Sequence, residues 1–197
     1  MKPDAILFDM DGVLVDSLES WWSALNDALE NYGYDKVSRE EFKDRFWGHD
    51  LRSNLEKFDI DKKVVSFCNN VYSEHIDKVK VFSDTKKTLG SLDSFKKALI
   101  TNTPNGCTNQ ILDITGLKKF FDVIITSDHV GMGKPDPEMI FKACSELDVK
   151  PENCLLVGDT DSDVKAGHAA GCKVVGIKID ADYRVEKLSD FKNILEL

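Results

Sequence analysis

Ala5-Ile6-Leu7-Phe8-Asp9-Met10-Asp11-Gly12-Val13-Leu14-Val15-Asp16-Ser17 is the stretch on which the rest of the chain depends. Its apolar first part reads as a buried strand, and the strand ends in two carboxylates one residue apart. Side chains alternate along a strand, so Asp9 and Asp11 can both lean into the space beyond its tip. Gly12 lets the backbone turn there without a Cβ penalty. Two acids crowded at one strand end resist joint ionisation unless a cation or a lysine joins them. Such a pair suits catalysis, one carboxylate as nucleophile and its neighbour as general acid.

Working outward, residues 16–80 read as helical throughout, with no strand signal. Ser17 stands as N-cap of a helix running to about Tyr32, with Gly33 as its stop. Ser38-Arg39-Glu40-Glu41 opens a second helix with capping-box spacing that ends near Gly48. Further helices cover Leu51 to Phe58 and Lys62 to Ile76. Trp21, Trp22 and Phe42 fall at helical spacing and read as the core of this module. From Thr85 on, strand and helix alternate. Strands are expected at 98–101, 122–126, 154–158 and 173–177, the last being the final strand. The alternation predicts an α/β fold, a doubly wound parallel sheet covered on both faces. The domains expected are a core of residues 1–15 and 81–197 and an inserted helical cap of 16–80.

Charge narrows the function classes. The 197 residues carry 35 acidic against 26 basic side chains, a formal net charge of −9. That balance repels nucleic acid and anionic membranes, so neither is expected as a partner. Five scattered cysteines without a CxxC pair read as reduced thiols of a cytoplasmic protein. No apolar run reaches membrane-spanning length and no signal peptide is read at the N-terminus.

In open parallel sheets ligands bind beyond the carboxyl ends of the strands, where strand order reverses. Polar residues converge on those ends: Asp9 and Asp11, then Thr101 and Asn102, then Lys134, then the loop Gly158-Asp159-Thr160-Asp161-Ser162-Asp163. Asp9 with a carboxylate of the Asp159 loop makes the hard oxygen site that Mg²⁺ prefers. Thr101 offers a hydroxyl and Asn102 a backbone N–H to phosphoryl oxygens, and Lys134 adds a point charge. This inventory fits phosphoryl transfer.

The succession DMDGVLVDS, TN, GKPDP and GDTDSD resembles the haloacid dehalogenase-like superfamily, in its phosphoglycolate phosphatase and β-phosphoglucomutase branch. The resemblance implies a Rossmann-like core with strand order 5-4-1-2-3 and a helical cap. It implies Asp9 as nucleophile and Asp11 as acid/base, with Mg²⁺ held by Asp9, the Asp11 carbonyl and Asp159. Asp163 would steady the metal site or Lys134. Met10, Thr101, Asn102 and Lys134 would hold phosphate, and the 46–52 loop would select substrate through Arg52 and His49. The expected substrate is a small phosphorylated metabolite, phosphoglycolate first and a sugar phosphate second, and the expected assembly a monomer or homodimer. Thr101-Asn102 and Gly158-Asp159 look like the phosphatases of this branch rather than its mutases, and a β-phosphoglucomutase-type phosphosugar mutase is the alternative that the resemblance leaves open. The alternative of another class is a signalling module like a response-regulator receiver, which places its acceptor aspartate after the third strand and has no helical insertion, or a non-catalytic binding protein on the same fold.

Overall fold

The computed structural model describes residues 2–48 and 51–195, apart from the side chains of Arg52, Ser53 and Glu56. His49 and the Arg52 side chain, expected to select substrate, lie outside the described residues. Among the described residues no helix is long and apolar enough to cross a membrane.

Strand β1 (Ala5–Phe8) is buried on both faces. After it comes a two-residue strand, β2 (Val15–Asp16), and then four helices: α1 (Leu18–Asn31), α2 (Arg39–Arg45), α3 (Leu51–Lys57) and α4 (Lys63–Val71). A 3₁₀ segment, Tyr72–Lys78, leads to β3 (Lys80–Val81). Then α5 (Thr85–Gly90), β4 (Lys96–Thr101), α6 (Asn105–Thr115), β5 (Val123–Thr126) and α7 (Glu138–Leu147) follow. The chain closes with β6 (Cys154–Gly158), α8 (Asp161–Ala170), β7 (Lys173–Ile177), β8 (Tyr183–Val185) and α9 (Lys192–Leu195).

Six parallel strands form one sheet in the order β5-β4-β1-β6-β7-β8. Five of them follow the expected order with β1 central; the sixth, β8, corrects the reading of 173–177 as the last strand. Tyr183–Val185 is three residues long with Arg184 exposed between its neighbours, too short for an alternating pattern to register. Ile6 and Phe8 enter the apolar cluster on one face with Leu89, Ile111 and Phe191. Ala5 and Leu7 enter the other with Met139, Ile140 and Ala166. A strand buried on both faces has to be apolar at every position, which is why β1 shows no alternation.

The helical stretch is also corrected at its ends. Asp16 and Lys80 pair as part of the antiparallel β2–β3 ribbon, so the excursion through α1–α4 leaves and rejoins the chain at one place. Two-residue strands carry no periodicity for a sequence to display.

Candidate active site

The register of β1 places the first acid. Phe8 is level with Leu99 on β4 and with Val157 on β6, so Asp9, one residue on, emerges between the tips of both neighbours. Beyond it the chain turns tightly: the Leu14 N–H donates to the Met10 carbonyl at 2.9 Å and the Gly12 N–H to the Val15 carbonyl at 2.8 Å. Gly12 has φ +84°, and a Cβ there would stand 2.0 Å from Asp159 Oδ2. Only glycine permits both that backbone and the approach of Asp159.

Asp11 is oriented by three hydroxyls. Thr103 Oγ1 donates to it at 2.7 Å and Thr101 Oγ1 at 3.4 Å. Ser17 Oγ donates to its other oxygen. Ser17 precedes α1 as expected, but its side chain makes no cap bond because Asp11 claims the hydroxyl.

Lys134 is almost wholly buried and joins two carboxylates, at 2.8 Å to Asp9 Oδ1 and 2.7 Å to Asp163 Oδ1. It donates as well to the Ile100 carbonyl at 3.2 Å. Asn102 holds the Lys134 backbone on both sides, donating to its carbonyl at 2.9 Å and accepting its N–H at 2.8 Å. The Asn102 amide therefore serves the Lys134 loop. Asp163, at the start of α8, also accepts from the Thr160 hydroxyl and N–H, at 2.7 and 3.1 Å. The Met10 side chain is packed into the core.

Oxygens of Asp9, Asp159 and Asp163 lie within 4.8 Å of one another. Asp159 Oδ1 is buried without a hydrogen-bond partner, while Oδ2 accepts the Trp47 indole N–H at 3.5 Å. A buried carboxylate oxygen with no protein partner is costly unless something else satisfies it. Four carboxylates here face one ammonium, and the donor set is all oxygen. The site fits a hard divalent cation.

The electrostatics agree. Burial is the main force raising the Asp9 carboxyl well above the usual range; Lys134 opposes it, and Asp163, Asp159 and Asp11 add to the rise. Burial, helped by Asp163, lifts Asp159 to about 7, against the pull of Trp47 and Lys134. Burial works against a charged Lys134, but Asp163 and Asp9 more than overcome it and hold the ammonium above its ordinary value. Acids pushed up and a lysine held charged in one cleft are the mark of a functional site.

A cavity of about 520 Å³ opens above Asp9, bordered by Thr101, Asn102 and Lys134 on the sheet side and by helices of the 18–71 segment opposite. Trp21 and Phe42, read from sequence as packing residues only, also border it. Thr103, Ser17 and Trp47 are the contributors that sequence reasoning did not assign. Thr103 follows the Thr101-Asn102 pair directly, the one signal that pointed to it.

A family model for haloacid dehalogenase-like hydrolases matches residues 6–177. The chain belongs to this family. Among its relatives, pyrophosphatase PpaX of Anoxybacillus flavithermus is 31% identical, over 99% of this chain and 98% of that protein. PpaX of Bacillus cereus is 30% identical, over 99% and 97% respectively. The crystal structure of CbbY from Rhodobacter sphaeroides in complex with phosphate superposes with a TM-score of 0.87 at 20% identity, covering 99% of this chain and 100% of that one. The four segments singled out in the sequence are the ones that the sheet brings together here, and the fold is that of solved haloacid dehalogenase-like hydrolases.

Proposed function

We propose that this hydrolase is a Mg²⁺-dependent phosphatase that cleaves a small phosphorylated metabolite through an aspartyl-phosphate on Asp9. One observation carries the reading: Lys134 is bonded to both Asp9 and Asp163, beside an Asp159 oxygen that has no protein partner. Residues 1–15 and 81–197 act as the catalytic core, and 16–80 as a cap over it.

In this reading Lys134 fixes one Asp9 oxygen and the second attacks phosphorus as the bond to the leaving oxygen breaks. Asp11, held by Thr103 and Ser17, gives the leaving oxygen its proton. It then takes a proton from the water that hydrolyses the aspartyl-phosphate, which restores the Asp9 carboxylate and the protonated Asp11. Thr101 and the Met10 and Asn102 backbones hold phosphoryl oxygens, and Lys134 stabilises the charge that develops on them. Asp9, Asp159 and the Asp11 carbonyl would hold Mg²⁺, with Asp163 supporting, and the ion would polarise the phosphoryl group and offset its repulsion from Asp9. The relatives named pyrophosphatase and the phosphate-bound CbbY structure support a phosphorylated substrate. Phosphoglycolate is the first candidate and a sugar phosphate the second.

Steady turnover of p-nitrophenyl phosphate with Mg²⁺ is expected, with Asp9→Asn folded but reduced by at least about a thousandfold. Labelling of the protein by radioactive phosphate donor without turnover, or ready turnover in Asp9→Asn, overturns the reading.

A further inference from the structure

The loop after α2 reaches across to the acidic cluster. The last turn of α2 closes on Phe42, whose carbonyl accepts the Phe46 N–H at 2.9 Å and the Trp47 N–H at 3.1 Å. Gly48, at φ +74°, then turns the chain out of the helix. The Trp47 ring meets Phe42 edge-on with centroids 6.3 Å apart, and Phe42 is itself buried, so the indole is set by that last turn. Its N–H points at Asp159 Oδ2, 3.5 Å away.

Gly48 makes a second contact. A Cβ there would stand 2.4 Å from the Thr160 side chain. Thr160 neighbours Asp159 and gives its hydroxyl to Asp163 at 2.7 Å. Two successive residues of the 46–48 loop thus lie against two successive residues of the acidic loop, and a glycine lets the backbone come that close.

The two Asp159 oxygens differ in their surroundings. Oδ2 lies against Gly12 of the β1 turn, where a methyl would not fit, and accepts from Trp47 of the helical segment. Oδ1 is buried with no protein partner. A carboxylate fixed by one oxygen presents the other in a defined direction, and a cation engages an already ordered ligand at lower cost. Resting on the reading of Asp159 as a Mg²⁺ ligand, we infer that Trp47 is a positioning residue of the metal site: its N–H holds Asp159 Oδ2 so that Oδ1 faces the cation, which couples seating of the 46–48 loop to metal binding. The coupling is reciprocal. The loop in place tightens Mg²⁺, and Mg²⁺ in place favours the seated loop.

The test is calorimetric titration of the substrate-free protein with Mg²⁺, beside p-nitrophenyl phosphate turnover over a range of Mg²⁺ concentrations. Trp47→Phe keeps an aromatic ring against Phe42 and removes the N–H; its Kd for Mg²⁺ is expected to rise about tenfold. Gly48→Ala keeps the indole but collides with Thr160 on a left-handed backbone, and a similar rise is expected. Both changes break one seating, so the double variant is expected to bind no more weakly than the worse single one. Turnover in Trp47→Phe is expected to fall at low Mg²⁺ and to return to within about twofold of the parent protein at saturating Mg²⁺, a recovery that a general loss of packing would not show. A parent-like Kd in Trp47→Phe, or losses that multiply in the double variant, in a parent protein that binds Mg²⁺ and cleaves p-nitrophenyl phosphate, overturns this inference alone. A parent protein that binds no Mg²⁺ overturns the Mg²⁺-dependent reading and this inference with it.

Discussion

Lys134 Nζ stands 2.7 Å from Asp163, and both side chains are shut off from solvent. A buried pair of this kind stabilises little by itself, but removing one partner strands a charge. Lys134→Met keeps the aliphatic stem and leaves Asp9 and Asp163 without their cation. The expected cost is about 3–5 kcal/mol in chemical denaturation near neutral pH, with kcat lower by about two to three orders of magnitude. Near-native stability in that variant would contradict the pairing.

Gly12→Ala places a methyl 2.0 Å from Asp159 Oδ2, on a backbone with φ +84°. The left-handed conformation alone costs a non-glycine residue about 1–2 kcal/mol, and the clash moves Asp159 as well. Divalent-cation affinity should fall together with stability. Calorimetric titration with Mg²⁺ that matches the parent protein would rule out the contact.

Asp159 has a folded-state carboxyl near 7 against an ordinary 3.8. The folded protein without metal then holds an extra proton between those values. Its stability falls as pH rises through that window. A cation at this carboxylate displaces the proton, so the rise in Tm produced by Mg²⁺ should be larger at about pH 8 than at about pH 6. Thermal melts at the two pH values, with and without Mg²⁺, check this; an identical shift at both would exclude proton–cation competition.

How much of this site the sequence announces depends on the range of each contact. Asp9 and Asp11 are legible because the strand carrying them is a continuous apolar run that stops at the acids. Lys134 is legible through the company it keeps in the motif order. Trp47 is not, since its partner Asp159 is 112 residues away and only the fold brings them together. Ser17 was read as an N-cap on local propensity, and the nearby Asp11 outcompeted the helix for its hydroxyl. The β2–β3 ribbon and β8 are shorter than any period they could display.

Away from the cavity, Asp182 ties the edge of the sheet together. Burial would raise its carboxyl, but the bonds from Lys173, the Val174 N–H and His168 overcome that and hold it at about 2, below the ordinary 3.8. Because the folded value is depressed, this contribution is full above about pH 4 and is lost as pH falls toward 2. Asp182→Asn should lower Tm at neutral pH and converge with the parent protein in strong acid. A constant difference across that range would exclude the charge as its cause.

The β2–β3 ribbon has a bearing on how such a chain diversifies. Because Val15–Asp16 and Lys80–Val81 run side by side, the outgoing and returning segments share one doorway, and the parallel sheet never sees the length of what hangs outside it. Longer, shorter or differently folded inserts can be exchanged at that doorway without disturbing the register that aims Asp9. The stretch that aims Asp9 and the helices that border the cavity opposite it are thereby free to change separately.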